Sequence, residues 1–123
     1  MSLIDGLHHV SLIVADTERA LGFYRDQLGL EVEPGRPDLG FPGAWLRVGA
    51  HQIHLLELPN PDPVKRRPAH GGRDRHLAVT VPDLDAVIKV LDRAGRDYSL
   101  SRSGRRALFV RDPDANGLEL IER

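Results

Sequence analysis

The sequence predicts an α+β fold built from two copies of one β-α-β-β-β unit. Three observations predict it. A pattern recurs at a fixed offset: 67 residues separate His9 from His76, Asp16 from Asp83, and Leu21 from Ile88. Each copy opens on a run that alternates between two faces. Each run then meets an aspartate followed by apolar residues at helical spacing. A shared offset across a whole pattern implies two copies of one supersecondary unit.

The elements follow in order. From His9 to Val14, Val10, Leu12 and Val14 form one row and His9, Ser11 and Ile13 the other. From His76 to Val81, Leu77, Val79 and Val81 lie opposite His76, Ala78 and Thr80. Period-two alternation rich in β-branched residues marks strands. Asp16 and Asp83 are N-caps, because a short carboxylate accepts a free first-turn N–H. The helices then carry Ala20, Leu21, Tyr24 and Leu28 in copy one, and Leu84, Val87, Ile88, Leu91 and Ala94 in copy two. That spacing gives each helix one apolar face. Gly29 and Gly95 stand where a left-handed C-terminal cap belongs. Three further strands are expected in each copy: Leu30–Glu33, Ala44–Val48 and Gln52–Leu58, then Asp97–Ser101, Arg106–Arg111 and Leu118–Glu122. Asp112 to Gly117, DPDANG, is a turn by composition. Pro34 to Gly43 is an irregular loop that borders the concave face.

The organisation is one domain over residues 1–123: module one over about 5–58, a linker over about 59–74, and module two over about 75–123. Prolines and paired glycines mark the linker. Its Lys65, Arg66 and Arg67 read as a solvated loop.

Composition removes several function classes. The 17 basic and 18 acidic side chains leave a net charge of −1, which argues against a nucleic-acid partner. With no cysteine, disulfides, zinc–thiolate sites and thiol nucleophiles are excluded. No apolar run approaches the roughly 20 residues of a membrane span. The start, MSLIDGLHHV, lacks the features of a signal peptide. The expectation is a cytoplasmic protein without a membrane partner.

The repeat also pairs four candidate metal ligands. His9 and His76 open the first strands of the two copies. His54 and Glu119 lie in the two last strands, 65 residues apart. Each copy therefore offers one side chain from its first strand and one from its last. A pseudo-twofold between copies would bring the four to one point. Three imidazoles and a carboxylate suit zinc, nickel, cobalt, manganese or iron. Glu119 lies between Leu118 and Leu120, and His54 between Ile53 and Leu55, so the polar residues face away from the apolar ones. His8 and His51 have the opposite parity, and His70 lies in the linker. Ser11, Ala78 and Thr80 share strand faces with His9 and His76. Arg102, Arg105 and Arg106 crowd the hairpin before Arg111, which reads first as a solvated hairpin and second as one that attracts an anionic substrate.

With these residues in view, the chain resembles the vicinal oxygen chelate superfamily, which includes glyoxalase I, bleomycin-resistance proteins and extradiol dioxygenases. The resemblance rests on LHHVSLIVADTERALGFYRDQLGL at 7–30, RHLAVTVPDLD at 75–85 and DPDANGLELIE at 112–122. It implies paired βαβββ modules forming a cupped mixed sheet with flanking helices around one divalent metal. It places that family's ligands on His9, His76 and Glu119, and its fourth, often Glu or Gln, on His54. It also implies a homodimer, whose site either combines His9 and His54 of one chain with His76 and Glu119 of the other or forms within one chain.

The function so implied is a metal-dependent lyase or isomerase, glyoxalase-like or epimerase-like. It would act on a small oxygenated substrate through metal-stabilised enediolate chemistry. Glu119, the only carboxylate of the four, is the expected catalytic base. Ser11, Thr80 and Arg102 are expected substrate contacts. Two alternatives stand beside it: an Fe(II) extradiol-type dioxygenase, and a bleomycin-resistance-type ligand-binding protein without enzymatic activity.

Overall fold

The repeat read in the sequence is also a repeat of hydrogen bonding. The computed structural model describes residues 1–123. Module one contains β1 (His9–Val14), α1 (Thr17–Leu21), a π-helical turn (Gly22–Gln27), β2 (Glu31–Val32), β3 (Gly43–Val48) and β4 (His51–Glu57). Module two contains β5 (His76–Val81), α2 (Leu84–Arg93), β6 (Tyr98–Leu100), β7 (Ala107–Arg111) and β8 (Gly117–Glu122). Each module forms a four-stranded mixed sheet, ordered β1-β4-β3-β2 and β5-β8-β7-β6. The first and last strands of each module run parallel, and the other pairs are antiparallel. Within one chain the halves are two sheets rather than one continuous cup, and β1 and β5 are both edge strands.

Both helices start as expected. Asp16 accepts from the Arg19 N–H at 2.9 Å and Asp83 from the Ala86 N–H at 3.2 Å. A second device repeats with them. Glu57, ending β4, accepts the Thr17 N–H at 2.7 Å, and Glu122, near the end of β8, accepts the Leu84 N–H at 2.8 Å. A carboxylate at a helix N-terminus satisfies an orphan donor and complements the helix dipole. These glutamates tie each last strand to its own helix. Gly29 and Gly95 adopt φ of 79° and 69°, the left-handed region that a Cβ disfavours.

The first helix departs from expectation after Leu21. It widens into a π-helical turn, with the Leu28 N–H bonded to the Phe23 carbonyl five residues back. The extra residue per turn lets adjacent Phe23 and Tyr24 both reach full burial. They join one core cluster that spans both modules, with Leu46, Ile53 and Leu55 from the first and Leu91, Leu108 and Leu118 from the second. The linker also differs from a solvated loop. Arg67 and Arg111 both pair with the Asp74 carboxylate, at 2.6 Å and 2.9 Å, and hold it far below the usual carboxylate range. The clamp fixes the entry to β5. No helix is long and apolar enough to cross a membrane.

The modules are locked through the DPDANG turn. Buried Asp112 accepts the Tyr24 hydroxyl at 2.7 Å and the N–H groups of Asp114 and Asn116 at 2.8 Å and 2.9 Å. The Asn116 amide donates to the Ile13 carbonyl at 3.0 Å, and Asp114 accepts the Ala15 N–H at 3.0 Å. Tyr24→Phe removes one buried donor from this junction. Urea unfolding of that variant is expected to show a loss of about 1–2 kcal/mol. An unchanged midpoint would show that the Tyr24 hydroxyl contributes nothing to the junction.

Candidate metal centre

Strand register places the four candidate ligands at equivalent points. In module one Ser11 stands opposite His54 across the β1–β4 pair, and Trp45 opposite His54 across β3–β4. In module two Ala78 stands opposite Glu119 and Phe109 opposite Glu119. His9 and His76 lie one pleat before Ser11 and Ala78, on the same faces. Each module therefore presents a first-strand histidine, a last-strand ligand candidate and an aromatic ring on one side of its sheet. The apolar neighbours Ile53, Leu55, Leu118 and Leu120 are buried on the other side, against the helices.

Module two holds its pair in a ligand-like arrangement. The His76 Nε2 lies 3.4 Å from the Glu119 Oε1. Two donor atoms each about 2.1 Å from one zinc ion are separated by about 3.0–3.4 Å. The His76 Nδ1 contacts the Asp74 carbonyl at 2.8 Å. The Asp74 carbonyl is the usual kind of outer partner of a metal-binding imidazole, and donation to it from Nδ1 leaves the Nε2 lone pair facing Glu119. Phe109 meets His76 edge-on at 5.1 Å between ring centroids. The Glu119 carboxylate is buried at 3% exposure, and its Oε2 accepts from Arg105 at 3.0 Å.

Module one holds its pair in a stack. The rings of His9 and His54 lie 4.0 Å apart and 17° from parallel, and Trp45 stacks on His54 at 4.3 Å and 7°. The His54 Nε2 contacts the Gln52 Oε1 at 2.8 Å. Burial lowers the His54 pKa, and the neighbouring His9, His8 and Arg36 lower it further, which favours the neutral ring; with Nε2–H donated to the Gln52 oxygen, its lone pair is on Nδ1. A lone pair lies in its ring's plane. Two near-parallel stacked rings cannot both aim at one ion, so loading requires one ring to turn. His9 is exposed and would turn at the cost of its 2.8 Å contact with His8, whereas His54 is held by Trp45 and Gln52. The donor types and the module-two geometry fit a divalent ion.

Within one chain the four donors do not converge. They stand as two pairs, and no group of three or more His, Asp or Glu is placed to hold a metal ion. Ser11 is beside His54, as its parity suggested. Thr80 lies further along β5, opposite Ile121. The three hairpin arginines divide. Arg106 turns away, to Glu122 and Asp85 at 3.0 Å each. Arg105 reaches Glu119, and Arg102 lines the cavity beside it.

Sequence reasoning missed two neighbours, Trp45 and Phe109, and did not foresee that Arg105 pairs with Glu119 or that His8 meets His9. The His8 Nδ1 lies 2.8 Å from the His9 Nδ1. Trp45 and Phe109 were visible as aromatics in equivalent strands, 64 residues apart. Linker residue His70 is not free in solvent. It accepts the Gly72 N–H at 3.0 Å and packs 5.1 Å from Phe109.

Comparison with known proteins agrees with this architecture. The model of the Glyoxalase/Bleomycin resistance protein/Dioxygenase superfamily matches residues 6–120. The chain is 34% identical to the uncharacterized protein YwkD of Bacillus subtilis, covering 98% of this chain and 99% of that one. It is 32% identical to Glyoxylase I 4 of Arabidopsis thaliana, covering 95% of this chain and 70% of that one. The crystal structure of a protein placed in the glyoxalase family, from Bacillus anthracis, superposes with a TM-score of 0.81 at 26% identity, covering 100% of this chain and 98% of that one. Two equivalent βαβββ modules and these matches lead to one conclusion: the chain belongs to the glyoxalase/bleomycin resistance protein/dioxygenase superfamily.

Proposed function

We propose that this protein is a divalent-metal-dependent lyase or isomerase, of glyoxalase or epimerase type, acting on a small oxygenated substrate. The observation that carries the reading is the His76 Nε2 and Glu119 Oε1 pair at 3.4 Å, with His76 oriented by the Asp74 carbonyl. His9 and His54 of one copy, with His76 and Glu119 of a second, would hold the ion. The open edges of β1 and β5 support that assembly, as does the separation of the pairs within one chain. A bound divalent ion supplies Lewis-acid polarisation of the substrate's oxygen atoms.

The chain's own groups supply the rest. Glu119, either bound to the ion or transiently released from it, would accept the proton from the carbon next to the carbonyl and return it to complete the isomerisation. Its burial keeps water from competing for that proton. Arg105 restricts the carboxylate to one orientation through its Oε2. Ser11, beside His54, offers a hydroxyl to a substrate oxygen. Thr80, further along β5, offers a second. The relative named Glyoxylase I 4 supports a glyoxalase-type reading by its name.

Trp45 is the only tryptophan, and it stacks on His54. Titration with zinc, nickel, cobalt, manganese or iron(II) is therefore expected to change its emission, saturating near one ion per chain. His54→Ala should abolish the change. Failure of all five ions to bind would overturn the enzyme reading in favour of a metal-free ligand-binding protein. Binding of iron with oxygen uptake on catechols would overturn it in favour of a dioxygenase.

A further inference from the structure

The face of module two carries a cavity that ends at Glu119 and whose outer arginines the proposed proton transfer leaves unused. It has a volume of about 530 Å³, within the range of small-molecule sites. One wall is the linker, with His70 and Arg73. The other is the β6–β7 hairpin, with Arg102 and Arg105, and Phe109 and Glu119 close the inner end. The walls are joined where the His70 ring nitrogen Nε2 meets the Leu100 carbonyl at 3.3 Å.

The charges in this cavity do not balance. Three arginines and one carboxylate line it. That carboxylate already has Arg105 at 3.0 Å and His76 at 3.4 Å. Arg73 and Arg102 take part in none of the chain's salt bridges. The arginines around them do: Arg67 and Arg111 with Asp74, Arg75 with Asp62, and Arg106 with Glu122. Two unpaired guanidinium groups on opposite walls of one cleft focus a positive field. Their planar forks match the oxygens of a carboxylate or phosphoryl group. Ser101 and Ser103 line the same cavity, and the 2.8 Å bond between their hydroxyls leaves one O–H free to donate.

We infer that Arg73 and Arg102 bind an oxyanion, a carboxylate or phosphoryl group, at the end of the substrate remote from the reacting carbon. The inference rests on the reading of His76 and Glu119 as half of the catalytic site. An anion held between linker and hairpin directs the remainder of the molecule inward, to the end closed by Glu119. The substrate class is thereby narrowed to small oxygenated acids or phosphoryl compounds.

The test is calorimetric titration of full-length protein with propionate and, separately, propylphosphonate. These probes distinguish the two sources of the anion. Arg73→Ala/Arg102→Ala is compared with wild type and with Lys89→Ala/Arg93→Ala, which removes the same charge from exposed positions on α2. Metal content is determined in every sample. At least one probe should bind saturably to wild type, bind about equally to the α2 variant, and bind at least tenfold more weakly to the Arg73/Arg102 variant at unchanged metal content. Absence of saturable binding overturns the inference, as does equal binding by all three proteins. Loss of binding in the α2 variant as well overturns it too, because net charge alone would then be responsible. The metal measurement is separate: protein that takes up no divalent ion refutes the catalytic reading whatever the anions do.

Discussion

Glu119→Gln is expected to reduce turnover by about 10²–10⁴-fold, the usual range for losing a positioned general base. Substrate binding should fall far less. The amide has nearly the same shape and still offers an oxygen, but it cannot take a proton. The substitution also removes the charge that Arg105 meets at 3.0 Å. Because the Arg105 side chain is 57% exposed, water replaces that partner at little cost, and the fold should survive. The informative readout is kcat against KM at measured metal occupancy. A large fall in kcat with a near-constant KM supports the base assignment. Retained turnover at full occupancy assigns the base to another group.

His76→Ala is expected to weaken metal binding by more than about a hundredfold. Loss of an outer partner of a metal ligand alone costs about 10–100-fold, and His76 is placed as a ligand itself. The side chain is 25% exposed, and its ring meets the Asp74 carbonyl, Glu119 and Phe109. Its removal should leave the melting temperature of the metal-free protein nearly unchanged. Elemental analysis beside a thermal melt separates the two effects. Equal metal content in variant and wild type would remove His76 from the site.

Much of this architecture was legible in the residues. The 67-residue offset is visible because each module repeats the same local solutions. Asp16 and Asp83 cap helices, Gly29 and Gly95 adopt positive φ, and alternating strands separate polar from apolar faces. These are short-range effects, carried by a few adjacent side chains. The four ligand candidates were legible for the same reason, since parity fixes the face of a strand residue. What escaped depends on distant partners. The π-helical turn follows from burying both Phe23 and Tyr24 against the other module, where Tyr24 meets Asp112, 88 residues on. Arg67 reads as one of three loop cations until Asp74 and Arg111 are seen around it. The stacking of His9 on His54, and of His54 on Trp45, depends on strand register. The division into two sheets with open β1 and β5 edges is a property of the whole chain.

In the proposed assembly two copies share each metal site. A heterodimer of His9→Ala and Glu119→Ala chains, isolated through two different affinity tags, tests it directly by elemental analysis. A shared site leaves one of the two sites with all four donors intact, so the heterodimer should hold one tightly bound ion and either homodimer none. A site built within one chain is damaged in every copy. A heterodimer as empty as the two homodimers would contradict the account.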